Sequence, residues 1–286
     1  MNIEDFLFIY KIVILRDLEK KKYFKGLRKI FNYPYRYILN EIRFLFRIRK
    51  INLDKNYDFE KLKKKNLDEI FIKFNTDKGS SVKLNDNIIE GHNYSHSYEK
   101  YFFKYKNIEN LNILEIGSLR GEGTASFFSY FKYPQITCLD KNPFQIKFSS
   151  KNIRKLYFDS QSRKTLNQVS NYLNQEFDII IDDGSHNIRD QIITLNEFFP
   201  MLKKNGTYVI EDTCQYIDRP HLNPDKLSYG LNEFLLSIKK IANHTCPYLT
   251  DEEKNNLHQN IKNLFFEDGN HKENGMNVPE IVFIEK

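Results

Sequence analysis

An α/β fold is what this sequence predicts: a doubly wound, seven-stranded Rossmann-like sheet with one antiparallel edge strand. Three observations predict it. Short β-rich apolar runs alternate with helical patterns from Leu111 onward. Several of those runs stop abruptly in acids: QITCLD at Asp140, NIRKLYFD at Asp159, FDIIIDD at Asp182 and Asp183, and YVIED at Glu211 and Asp212. One run, LNILEIG, enters a glycine pattern, Glu115-x-Gly117-x-x-x-Gly121-x-Gly123, and then a helical stretch, TASFFSYF. A buried parallel strand reads as a continuous apolar run, and open α/β sheets bind ligands beyond the carboxyl ends of their strands.

In chain order, residues 1–65 read as a basic helical extension and residues 66–286 as the main domain. Residues 1–55 carry 14 Lys+Arg against 6 Asp+Glu, whereas the whole chain is only +6, so the basic excess belongs to the amino end. There Tyr35, Ile38, Leu39, Ile42, Leu45 and Phe46 recur at helical spacing, with Arg36, Arg43, Arg47 and Lys50 on another face. Three roles compete for residues 1–55: packing on the main domain or on a second subunit in a homo-oligomer, a peripheral membrane contact with arginines toward anionic lipid, and nucleic-acid binding. The last is disfavoured, because no recognised module accompanies the charge. In the main domain, strands are expected near 112–117, 135–140, 153–158, 177–182, 206–211, 261–266 and 280–285. Helices are expected near 122–132, 161–174, 187–203, 226–243 and 250–262. Right-handed crossovers then put the first and fourth strands at the centre of the sheet, where the order reverses.

Composition fits an enzyme with a full core. A 40% hydrophobic content with 15% aromatics excludes a disordered chain. Cys138, Cys214 and Cys246 are scattered with no CxxC pair, so neither a disulfide framework nor a zinc site is indicated. No apolar run of about 18 residues occurs, and the first residues lack a basic start and a small-residue cleavage site, so cytoplasmic residence is the default expectation.

Side by side, the fourth and fifth strands would gather Asp182, Asp183, Glu211 and Asp212, with His186 one turn on. Four carboxylates in one cleft need a cation or protons. The alternative is that some are helix N-caps. His186 has the chemistry of a general base at neutral pH; its other reading is a solvated helix start. The glycines permit a sharp turn and close approach of backbone to a ligand, and Asp140 suits the two hydroxyls of a ribose. Gly121-Glu-Gly123-Thr-Ala-Ser126 ends in Ser where a dinucleotide fingerprint has Gly, which disfavours a nicotinamide cofactor.

These motifs make the chain resemble the class I S-adenosylmethionine-dependent methyltransferases. More narrowly, it resembles the metal-dependent sugar O-methyltransferases of the macrocin and mycinamicin type, which share DDGSH and IED. The resemblance runs from NTDKGS (Asn75 to Ser80) and His92-x-Tyr94-x-x-x-Tyr98-Glu99 to the terminal strand IVFIEK, roughly residues 70 to 286. It implies S-adenosylmethionine and Mg2+ as cofactors and a sugar or glycan acceptor. It implies Asp183, Glu211 and Asp212 as metal ligands, with His186 as the base. It further implies a cofactor site built from Thr76, Asp77, Lys78, His92, Tyr94, Glu115, Gly117, Gly121, Asp140, Asp159 and Asp182. Hard oxygen ligands fit Mg2+ better than zinc. Two departures stand out. The family's Gly-Asp-Gln-Ser-Asp is here Phe158-Asp159-Ser160-Gln161-Ser162, and Glu267 to Pro279 reads as an insertion away from the chemistry. Acceptor-facing loops are expected at Gln215 to Tyr229 and within 80 to 100. Two other functions remain open, an oxygenase of the cephalosporin-hydroxylase kind and a non-catalytic scaffold in polysaccharide assembly.

Overall fold

The computed structural model describes residues 3–19, 50–240, 245–273 and 275–286. Seven strands build the main sheet: β1 Asn112–Ile116, β2 Gln135–Asp140, β3 Ile153–Tyr157, β4 Phe177–Asp182, β5 Leu202–Ile210, β6 Asn263–Glu273 and β7 Met276–Glu285. Their order across the sheet is β6-β7-β5-β4-β1-β2-β3. Strands β1 to β5 are parallel, and β7 pairs antiparallel with both β5 and β6 at the carboxy-terminal edge. At the centre β1 lies beside β4, with Ile113 opposite Ile179, so the order reverses at the expected place.

Eight helices are named here: α1 Ile3–Glu19, α2 Leu67–Phe74, α3 Ser95–Phe102, α4 Glu122–Tyr130, α5 Arg163–Leu173, α6 Ile188–Phe198, α7 Leu231–Lys240 and α8 Asp251–Asn260. The strands are apolar on both faces, so alternate residues enter two separate cores. Ile116, Ile180, Tyr208 and Ile284 pack with α5, α6, α7 and α8. Ile113, Ile179, Val209 and Phe283 pack with α2, α3 and α4. Local sequence sets the helix starts: Asn66 with Glu69 and Thr250 with Glu253 form capping boxes, and Ser162 caps α5. The amino-terminal helix docks on the main domain. Ile9 and Ile12 are buried in the α5–α6 core, and Asp5 accepts from Arg154 Nη2 at 2.6 Å and from Tyr172 at 3.0 Å. The amphipathic stretch Tyr35 to Phe46 lies outside the described residues. Among the described residues no helix is long and apolar enough to cross a membrane.

Four boundaries differ from expectation for local reasons. The helix expected to reach 203 stops at Phe198 and tightens into a single 3-10 turn, Phe199–Met201, which holds Pro200. Strand β5 starts at Leu202 rather than 206, since Leu202 pairs with Phe177 and Lys203 Nζ lies 2.9 Å from both Asp178 oxygens. Helix α7 starts at Leu231 rather than 226, where the Gly230 N–H is capped by the Glu233 carboxylate. The largest correction concerns Glu267 to Pro279. It is not an insertion between strands but the far half of the β6–β7 hairpin, held by Glu267 on Lys100 (2.7 Å) and Tyr101, and by Asn270 Nδ2 on the Gly91 carbonyl at 2.6 Å.

Candidate active site

The glycine turn opens the site. Gly117 follows β1 at φ +85°, and a Cβ there would lie 1.9 Å from the Asp183 carbonyl oxygen, so only glycine lets the ends of β1 and β4 approach this closely. Two positions past Gly121, a Cβ on Gly123 would meet Glu115 Oε1 at 2.6 Å and Lys78 Cε at 3.1 Å. That gap admits the buried Glu115, whose carboxylate accepts from Thr124 in the first turn of α4. Burial pushes the Glu115 carboxyl above its usual range.

Beside this turn is a cleft of about 860 Å³. Of the residues expected to hold a cofactor, Thr76, Asp77, Lys78, His92, Glu115 and Gly117 line it; Gly121, Tyr94, Asp140, Asp159 and Asp182 do not. Asp140 braces the turn from behind, accepting from the backbone N–H groups of Leu119 (2.8 Å) and Asn142 (2.7 Å). Asp159 pairs with Lys141 at 3.3 Å and accepts from the Gln161 N–H. Asp182 belongs to the opposite face, among Tyr208 and Asp190. Burial pushes its carboxyl up to about 8. The cleft wall also takes Val82, Lys83 and Leu84 from the expected 80–100 segment but nothing from Gln215 to Tyr229. It takes Asn270, His271 and Glu280 from the β6–β7 hairpin, so the segment set apart from the chemistry helps to form the site.

At the acidic edge the required cation is a lysine. Lys78, 3% exposed, puts Nζ between Asp183 and Glu211, 2.7 Å from Glu211 Oε2. Burial opposes charge on Lys78, but Asp183 and Glu211 more than offset it and hold the ammonium well above the usual lysine range. Burial raises both carboxyls, and Lys78 draws each back. The other Glu211 oxygen accepts from Tyr98, so both oxygens are committed to protein groups. Asp212 is held by Tyr94 Oη at 2.7 Å and Gln215 Nε2 at 2.6 Å.

His186 and Asp212 both occupy the left-handed region, at φ +54° and +56°. Such conformations cost a non-glycine residue on the order of 1–3 kcal/mol and gather at functional sites. They bring His186 Nδ1 to 3.6 Å from Asp212 Oδ2 and Nε2 to 3.9 Å from Asp183 Oδ1. Nδ1 is buried without a hydrogen-bond partner. Asp183, His186 and Asp212 each offer a ligand atom within 4.8 Å of the others, a donor set of two hard oxygens and a nitrogen that fits a divalent cation. Glu211, expected in that set, stands behind it on Lys78 and Tyr98.

Expectation gave no role to Tyr98 or Glu280, and placed Gln215 in an acceptor-facing loop rather than on Asp212. Glu280 is buried at 3% exposure, 3.9 Å from His92 Nδ1, while His92 lies 3.8 Å from Asp212. The Glu280 carboxylate, against the opposing effect of burial, holds His92 up to about 9. A signal for Glu280 does exist in the sequence. An antiparallel strand brings its amino end, here PEIVFIE, to the edge where parallel strands bring their carboxyl ends.

A family model described as a methyltransferase domain matches residues 107–270, more than half of the chain. The chain belongs to this methyltransferase-domain family. It has the class I fold and is similar to MycE, a methyltransferase from the mycinamycin biosynthetic pathway. A structure of MycE in complex with Mg and SAH shares 22% identity, with a TM-score of 0.57, over 78% of this chain and 54% of that chain. A second, in complex with Mg, SAH and Mycinamycin VI, shares 22% identity with a TM-score of 0.56 over 77% and 54%. At this identity the likeness is one of fold. The methyltransferase-family chain spans about half the length of these solved structures. None of the curated proteins matches it.

Proposed function

We propose that this chain is an S-adenosylmethionine-dependent O-methyltransferase that uses Mg2+ and acts on a hydroxyl of a sugar-bearing acceptor. One observation carries the reading. Asp183, His186 and Asp212 converge within 4.8 Å beside a cleft that starts at the glycine turn. The acceptor class rests on the resemblance in DDGSH and IED, with support from the likeness to MycE, which is solved in complex with Mycinamycin VI.

Methyl transfer from a sulfonium needs the attacking oxygen aligned behind the methyl carbon, so positioning is the main task. Glu115, Gly117 and the Asp140-braced turn form the donor end of the cleft, and Asp183 and His92 form the acceptor end. Mg2+ held by Asp183 and Asp212 would supply Lewis acidity at the acceptor oxygen. His186 takes the acceptor proton, its ring oriented by the flanking carboxylates of Asp183 and Asp212. Tyr94 and Gln215 fix Asp212, and Lys78 offsets part of the charge that Glu211 and Asp183 bring to this edge. Residues 66–286 are the catalytic unit, and residues 1–65 are its extension in a cytoplasmic protein.

A radiolabelled-methyl transfer screen against nucleotide sugars, glycans and glycosylated metabolites tests this directly. Label should move to a sugar hydroxyl only with divalent metal, disappear with chelator and return with Mg2+. Transfer indifferent to chelation, or no binding of S-adenosylmethionine by the full chain, would overturn the reading.

A further inference from the structure

A second donor cluster adjoins the Asp183–His186–Asp212 group on the cleft wall built by the β6–β7 hairpin, and His92 stands between the two, 3.8 Å from Asp212 and 3.9 Å from Glu280. Cys214, His271 and Glu280 each present a ligand atom within 4.8 Å of the other two. They come from three places in the chain: the loop after β5, the outer half of β6 and the start of β7. Cys214 is 2% exposed and forms no disulfide. His271 Nδ1 lies 3.4 Å from Asp218 Oδ2, while its Nε2 is buried with no hydrogen-bond partner. That is the pattern of a ligating histidine, whose second nitrogen is engaged by a carboxylate that fixes ring and tautomer. Glu280 is fixed too, accepting the His271 backbone N–H at 3.0 Å.

We propose that Cys214, His271 and Glu280 form a divalent-metal site of zinc type, distinct from the hard-oxygen site at Asp183 and Asp212. One sulfur, one imidazole and one carboxylate is a donor set that selects Zn2+ over Mg2+. Zinc sits about 2.0–2.3 Å from such ligands, so donors in a filled site are about 3.5 Å apart, and small side-chain shifts close this trio. Three protein ligands leave a fourth position. His271 and Glu280 line the cleft, so that position faces it and is taken by water or by an oxygen of a bound molecule. Metal entry deprotonates the thiol, the cation offsetting the surrounding carboxylates. The site does not depend on the methyltransferase reading.

Cobalt substitution tests it on the full chain, with Mg2+ present to occupy the hard site. The wild type should bind one Co2+ with a thiolate-to-cobalt charge-transfer band, displaced by one equivalent of Zn2+. Cys214→Ser and His271→Ala should each lose the band, and Asp183→Asn should keep it. If Cys214→Ser fails to fold, His271→Ala, on the cleft wall, decides the point. A wild type without the band, a band that survives His271→Ala or Cys214→Ser, or one lost in Asp183→Asn would each overturn the proposal.

Discussion

The two halves of the sheet's carboxyl edge hold their acids in different ways. At β1 to β3 the groups are secured close by: Asp140 by backbone N–H groups of its own turn and of the glycine loop, Asp159 by the Gln161 N–H, and Glu115 by Thr124 nine residues on. After β4 and β5, Asp183, Glu211 and Asp212 add partners from across the chain. Lys78 reaches Asp183 and Glu211 from 105 and 133 residues away, and Tyr94 reaches Asp212 from 118. The first half is a rigid cradle of main-chain donors. The second is a charge network with a buried and a half-buried carboxylate on one lysine, where loss of the lysine leaves both unpaired.

If that contrast is right, the largest effects belong to the acidic half. His186→Ala should lower methyl transfer by about 10²–10⁴-fold, the range for a lost general base, while leaving the Kd for S-adenosylhomocysteine near that of wild type. Residual activity should rise with pH as hydroxide replaces the missing base, which a pH–rate profile would read. Full activity in that variant would remove His186 from the chemistry.

Lys78→Met strands Asp183 and Glu211 together. Breaking a buried pair this way costs about 3–5 kcal/mol, measurable by denaturant unfolding. Mg2+ should recover part of that loss, because a cation bridging the two carboxylates substitutes for the ammonium. A variant of wild-type stability without metal would show that Lys78 is not the counter-ion.

A smaller effect sharpens the contrast by pH. The folded chain holds His92 up to about 9, so its contribution to stability is present below the ordinary histidine range and fades as pH rises through about 9. Glu280→Gln removes the largest cause and should lower the His92 titration midpoint, followed by NMR. An unchanged midpoint would mean that Glu280 does not hold His92.

Legibility in the sequence followed the same division. FDIIID and QITCLD are apolar, β-branched and bounded by acids, and their strands begin and end where the pattern says. The glycine turn was legible because backbone geometry dictates residue type there. Lys78 was legible only through NTDKGS and was expected at the cofactor, since no local pattern says which carboxylates a lysine meets 105 residues on. The outer β6–β7 hairpin reads as polar insertion because its strands are stabilised by partners on α3 and the loop before it, not by apolar alternation. His271 was lost with it, whereas Glu280 lay in the expected last strand without a role. Cys214 looked isolated for a similar reason: its neighbours come from residues 271 and 280, a proximity only the antiparallel return of β7 creates.

The division of labour along this edge can be measured by calorimetric titration of S-adenosylhomocysteine and Mg2+ into two variants of the full chain. Asp140→Ala should weaken the nucleoside by about 1–3 kcal/mol, the cost of stranding hydrogen-bond partners, and leave Mg2+ binding alone. Asp183→Asn should do the reverse, losing Mg2+ and keeping the nucleoside. Loss of both ligands in either variant, or of neither in both, would contradict a cofactor cradle at one end and a metal site at the other.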